Sequence, residues 1–68
     1  MTTKEKWFPE DWEYSSAPNL YYYNGLKVKR VEQDQGKVEL ITRDRNHTRH
    51  SVLAEGLREA MKKMEARL

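Results

Sequence analysis

The sequence predicts an α+β fold: a three-stranded antiparallel β-meander, one C-terminal amphipathic helix packed on one sheet face, and an aromatic arm in front. Three observations carry this. Asn24-Gly25 stands between two β-prone runs and accepts positive φ at both central positions, as a type I′ hairpin turn requires. Asp34-Gln35-Gly36 fits a three-residue turn with Gly36 in the left-handed position. Beyond Ser51, the residues Leu53, Leu57, Ala60, Met61, Met64 and Leu68 fall on one helical stripe.

Each element follows in order. Residues 1–6 are polar and are expected to be disordered. Residues 7–18 form an aromatic and acidic arm with Trp7, Phe8, Trp12 and Tyr14; Pro9 can open a single helical turn to Glu13. Ser15, Ser16, Ala17 and Pro18 read as a linker. Residues 19–44 hold the sheet, with strands Leu20–Tyr23, Leu26–Gln33 and Lys37–Arg43. A polar loop follows to His50. Residues 51–68 are the helix, with Ser51 as N-cap. Gly56 within it costs about 1 kcal/mol relative to Ala; it marks a close approach to the sheet, or the helix begins only after it. A rival SH3-like barrel would use Val52 to Leu57 as a closing strand. Leu53, Leu57 and Met61 keep helical phase through Gly56, which argues against it.

Length and composition bound the rest. The 68 residues make one domain with a thin core, and no cysteine is present to staple it. No apolar run approaches a membrane span, and the start lacks the basic-then-apolar plan of a signal peptide, so a cytoplasmic location is expected. The net charge of +2 is unevenly spread. The arm carries Glu10, Asp11 and Glu13, whereas the middle carries Lys27, Lys29, Arg30, Lys37, Arg43, Arg45 and Arg49. A partner meets a face rather than an average.

The two turns set the register, and register assigns faces. Tyr21 then pairs with Val28, Tyr22 with Lys27, and across the second turn Val31 pairs with Glu39 and Lys29 with Ile41. One face collects Tyr21, Tyr23, Leu26, Val28, Val38 and Leu40 for the helix. The other collects Leu20, Tyr22, Lys27, Lys29, Val31, Ile41 and Arg43, basic at one end and apolar at the other. The arm is expected to cover the apolar end.

Such a basic face with Tyr22 in it suits nucleic acid, since a β-ribbon enters the DNA major groove and cations neutralise phosphates. The bland reading is a solvated face on which Lys discourages edge-to-edge aggregation. Arg43, Arg45, His47, Arg49 and His50 at a helix start would add a phosphate anchor. His47 and His50 have H-x-x-H spacing, but a zinc site needs further ligands that the chain does not offer. No metal or cofactor is expected. The sequence holds no Gly-rich phosphate loop and no ordered nucleophile–base set, so no enzymatic activity is expected.

Pro18-Asn19-Leu20-Tyr21, the Tyr-rich strand, Asn24-Gly25, a basic strand, Gly36-Lys37, and Arg43-Asp44-Arg45 before an Ala-containing helix follow one another over residues 18–64. This order resembles the N-terminal arm-type DNA-binding domain of lambdoid phage integrases, which are tyrosine recombinases. The resemblance implies three strands plus a helix, a sheet placed in the major groove, and DNA contacts on Lys27, Lys29, Lys37, Arg43 and Arg45. The acidic segment before Pro18 departs from that pattern, and these 68 residues do not read as a catalytic recombinase domain, so a free-standing relative is expected.

The expected function is therefore a small non-enzymatic nucleic-acid-binding accessory or regulatory protein of phage-like type. It would bind duplex DNA rather than RNA through Tyr22, Lys27, Lys29, Lys37, Arg43, Arg45 and Arg49. The alternative is a protein–protein interaction module, a small phage- or host-encoded inhibitor or subunit, gripping a partner with Trp7, Phe8, Trp12 and Tyr14 or with the helix. A homodimer, through edge strands or through Met61 and Met64, is compatible with either, and no membrane partner is expected.

Overall fold

In the computed structural model, which describes residues 6–68, the chain forms one five-stranded antiparallel sheet with a single helix on one side. The strands are β1 (Trp12–Tyr14), β2 (Leu20–Tyr23), β3 (Leu26–Glu32), β4 (Val38–Arg43) and β5 (Arg49–Ala54), and the helix α1 is Leu57–Arg67. They lie in chain order β1-β2-β3-β4-β5. The α+β class holds, but the expected three-stranded meander has too few strands. Its three strands are the central ones, flanked by β1 and β5. Of the residues expected to be disordered, 1–5 lie outside the described residues, and Lys6 is exposed in a turn.

The central register is the one the turns dictate. Asn24 (φ 50) and Gly25 (φ 79) both take positive φ, and Tyr23 pairs with Leu26, Tyr22 with Lys27 and Tyr21 with Val28. In the second turn Gln35 (φ 65) and Gly36 (φ 76) are left-handed, and the Gln33 amide donates to the Lys37 carbonyl at 2.8 Å. Val31 therefore faces Glu39, Arg30 faces Leu40 and Lys29 faces Ile41.

β1 corrects the expectation of a separate arm. The Trp12 amide donates to the Pro9 carbonyl at 3.2 Å, a tight turn that feeds an extended strand instead of a continued helical turn. Trp12 then pairs with Tyr23 and Tyr14 with Tyr21. Phe8 and Trp12 are buried and Tyr14 packs against the core; of the four aromatics only Trp7, 40% exposed, stays outside. The arm accordingly lies on the helix side of the sheet, not over the apolar end of the opposite face.

β5 corrects the helix boundary. Residues 49–54 alternate: His50, Val52 and Ala54 face inward, while Arg49, Ser51 and Leu53 face outward. Leu53 is 47% exposed, so its helical phase with Leu57 is coincidental. Ser51 pairs with Ile41 in mid-strand and caps nothing. The rival barrel's closing strand, Val52 to Leu57, is met in part: a strand does precede Gly56, but it is Arg49–Ala54, and Leu57 opens the helix.

Gly56 is the true N-cap, in extended conformation (φ −158, ψ 164) and with no side-chain cap. A Cβ there meets nothing within 4 Å. Gly56→Asp is therefore expected to stabilise the fold by about 0.5 kcal/mol, through a cap to the first-turn amides and favourable charge at the helix start. Urea titration followed by circular dichroism measures this.

The core explains why β1 is needed. Trp12, Val28, Leu40, Ala60, Met61 and Met64 are fully buried between the sheet and α1. Met61 and Met64 are thus unavailable as a dimer contact. Five strands span roughly 19 Å across, whereas a helix is about 10–12 Å wide. α1 packs over β4 and β5, which leaves the β1–β3 half of the inner face to be sealed by rings. Phe8 stacks on Tyr14 at 4.3 Å and Trp12 on Tyr23 at 4.9 Å. The Trp12 Nε1–H donates to Glu65 Oε2 at 2.8 Å, tying β1 to the far end of the helix. No described element covers the outer face, and no helix among the described residues is long and apolar enough to cross a membrane.

Candidate nucleic-acid interface

The outer face is organised in rows by the pleat, because every second residue of each strand points the same way. The first row runs Glu13, Tyr22, Lys27 across β1–β3 and reaches Arg43 and Arg49, which face each other on β4 and β5. Val28 pairs with Thr42, so Lys27 stands beside Arg43, and the Thr42 hydroxyl fixes this junction by donating to the Lys27 carbonyl. The second row is Leu20, Lys29, Ile41 and Ser51; the third is Val31, Glu39 and Leu53. Charge along the first row passes from acidic at the β1 edge to basic at the β5 edge.

Of the seven expected nucleic-acid residues, Tyr22, Lys27, Lys29, Arg43 and Arg49 share this face. Lys27, Lys29 and Arg49 are exposed and form no ion pair within the described residues. Arg43 donates from Nη1 to the His47 carbonyl at 3.1 Å, which holds its guanidinium against the neighbouring turn. The other two are elsewhere. Lys37 lies six residues before Arg43, about 20 Å away along β4, in a depression with Leu53, Glu55, Glu59 and Lys63. Arg45 sits in the β4–β5 turn, lining a cleft with Tyr23, Asn24, Leu26 and Leu68. Arg30 faces inward, donating to the Tyr21 hydroxyl at 3.3 Å and to Glu32 at 3.0 Å.

The expected phosphate anchor at a helix start is corrected. The segment after Arg43 is a β-hairpin turn, and Arg49 opens β5, eight residues before α1. Backbone amides at the start of α1 therefore do not sit beside Arg45 and Arg49. Instead, the turn is built around Asp44. Its Oδ1 accepts from the Asn46 and Thr48 amides at 2.8 and 3.0 Å, and its Oδ2 meets His50 Nε2 at 2.9 Å. The Asp44 carbonyl accepts the His47 amide at 2.9 Å, with His47 left-handed (φ 65). His50 thus turns inward to Asp44 while His47 stays at the exposed tip; no metal-binding group of three or more His, Asp or Glu forms among the described residues. Asp44-Arg45-Asn46 is the sequence signal for this Asx-type turn.

The Asp44 carboxyl is held below the ordinary value of 3.8, first by the His50 side chain and then by the Thr48 amide. A depressed carboxyl contributes stability that is present above its unfolded value and lost as pH falls through the folded one. The turn is expected to loosen only below about pH 4. Amide exchange of Asn46 and Thr48 reads this directly: protection persists at neutral pH, falls in acid, and is reduced at all pH values by Asp44→Ala.

The acidic residues Glu10, Asp11 and Glu13 surround a depression with Tyr22, Asn24 and Gly25 at the β1 side. They gather at the β1 edge, whereas the 44–48 turn joins β4 and β5 at the opposite edge of the sheet. Glu39, in the third row, is engaged by Gln33 Nε2 at 2.7 Å. Comparison with protein-family models, with curated proteins and with solved structures gives no match.

Proposed function

We propose that this chain is a non-enzymatic nucleic-acid-binding accessory or regulatory protein that lays the outer face of β3–β5 on duplex DNA. The observation that carries this is the placing of Lys27, Lys29, Arg43 and Arg49 on one uncovered sheet face, with no carboxylate bound to any of them among the described residues. The resemblance to integrase arm domains supports the same docking mode, a sheet against the major groove, on strands 20–43.

Duplex is favoured over single strands by where the rings lie. Single-stranded recognition uses several aromatics as stacking platforms. Here Phe8, Trp12, Tyr14, Tyr21 and Tyr23 belong to the core side, and Tyr22 is the one ring among the sheet's outward residues. The protein-interaction alternative keeps Trp7 of the four arm aromatics and the exposed face of α1 beside it, with Arg58 and Lys62.

Fluorescence anisotropy with a short labelled duplex, titrated with salt, is the test. Four phosphate contacts give a slope of log K against log salt of about −3.6. No binding at low salt, a slope near zero, or a clear preference for single strands would overturn the reading.

A further inference from the structure

We propose that the β4–β5 hairpin tip, Arg45, Asn46 and His47, reads base edges in the major groove while the sheet face holds the phosphates. This rests on the duplex-binding reading above and adds sequence discrimination to it.

The first support is how rigidly the tip is built. The amides of Asn46, His47 and Thr48 are all bound within the turn, and the Asp44 amide donates to the Thr48 carbonyl at 3.0 Å. Arg43 Nη1 clamps the His47 carbonyl from the side. Of the amides from Asp44 to Thr48 only that of Arg45 makes no bond within the turn, so recognition falls mainly to side chains held by a fixed frame. A frame that is ordered before binding avoids the entropic cost of ordering a loop on contact.

The second support is the state of those side chains. Residues 45 to 49 are all exposed. The side chains of Arg45, Asn46 and His47 make no hydrogen bond within the described residues, although their neighbours Arg43, Asp44 and His50 are all engaged. They are also the right chemistry. Arg pairs bidentately with guanine O6 and N7, and Asn with adenine N6 and N7.

The third support is the setting. Arg43 and Arg49 face each other at the base of the tip, on the outer side of the sheet. A two-stranded ribbon fits a major groove about 12 Å wide, so a tip lowered into the groove brings this pair toward the phosphates along its rim. Arg45 and Asn46 line a cleft with Asn24 of the β2–β3 turn, together with Tyr23, Leu26, Asp44 and Leu68 on its helix side. The acidic group lies beyond that, on the β1 side, and restricts the duplex to the basic half.

The experiment is selection of preferred sites from a randomised duplex pool by the full chain, followed by anisotropy on a selected and a scrambled duplex. Wild type is expected to prefer the selected duplex. Arg45→Ala and Asn46→Ala should each reduce that preference about tenfold, while binding to the scrambled duplex and its salt slope stay the same. Neither side chain is bonded in the fold, and circular dichroism confirms that the variants are intact. Two results overturn the inference. One is duplex binding by wild type without any preference. The other is an equal loss on both duplexes with a slope reduced by about one, which makes the residue a phosphate contact. Absence of any duplex binding by wild type instead removes the parent reading and this one with it.

Discussion

Trp12→Ala is expected to unfold the domain at room temperature. Trp12 is fully buried, stacks on Tyr23 at 4.9 Å, and bonds through Nε1 to Glu65 on the helix. Truncating a buried Trp costs about 3–5 kcal/mol. A core in a chain of this length supplies only about 3–5 kcal/mol in total, so the loss matches the whole margin. On the half of the inner face that α1 does not cover, Phe8, Tyr14, Tyr21 and Tyr23 are already packed against one another or against Trp12, so the gap is closed only by moving them. Trp12→Phe separates packing from hydrogen bonding: it keeps a ring against Tyr23 and forgoes the bond to Glu65, and should remain folded with a loss of about 1–2 kcal/mol. Trp7→Ala, at an exposed position, should change stability by less than about 0.5 kcal/mol. Thermal melts by circular dichroism order the three. A cooperative melt of Trp12→Ala near the wild-type midpoint would show that β1 is dispensable to the core.

The contrast between Trp7 and Trp12 also shows where the sequence was readable. Turn chemistry was enough for the central sheet: Asn24-Gly25 and Gly36 set two registers, and two registers assign the faces of residues 20–43. The basic cluster of Lys27, Lys29 and Arg43 beside Tyr22 follows from that alone. β1 was hidden because a three-residue strand presents one and a half periods of alternation, less than the threshold at which a strand differs from a loop. Its apolar payload was visible; its pairing partner was not.

β5 was hidden for a different reason. Leu53 and Leu57 are four apart, which satisfies a helical stripe, and the intervening Gly56 has two meanings, a weak spot inside a helix or its boundary. Inward His50, Val52 and Ala54 give the competing period of two, but His and Ala are poor markers of a buried strand face. The choice was settled by pairing with β4, a tertiary term that overrides local propensity. The same omission misplaced Arg49 at a helix start and left the 44–48 turn unrecognised, so Asn46 read as loop and His47 as part of a helix-start phosphate anchor or a metal candidate. Lys37 and Arg45 illustrate a further limit: residues close in composition and sequence separate in space once strand length, at about 3.3 Å per residue, is counted.

Neutralising Lys27 and Arg49 together is expected to reduce duplex affinity about 60-fold at 0.1 M salt, since each lost phosphate contact removes about 0.9 from the salt exponent. The salt slope should fall from about −3.6 to about −1.8. Both residues are exposed and unpaired within the described residues, so Lys27→Gln with Arg49→Gln should leave the thermal melt within about 1 kcal/mol of wild type. This separates an interface effect from a folding effect, which Trp12→Ala cannot do. Lys37→Gln is the matched control. It removes the same charge about 20 Å along β4, outside the cluster, and should cost little if the duplex lies over the first and second rows. The acidic edge supplies the opposite sign. Glu13, which pairs with Tyr22 in the row that holds Lys27, repels a backbone that strays toward β1, so Glu13→Gln should strengthen binding and steepen the slope. If all four substitutions shifted affinity only in proportion to net charge, the cations would act as a diffuse field and the row would have no special standing. If Lys27 and Arg49 dominate, Lys37 is neutral and Glu13 opposes, the pleat of the sheet is what positions the contacts.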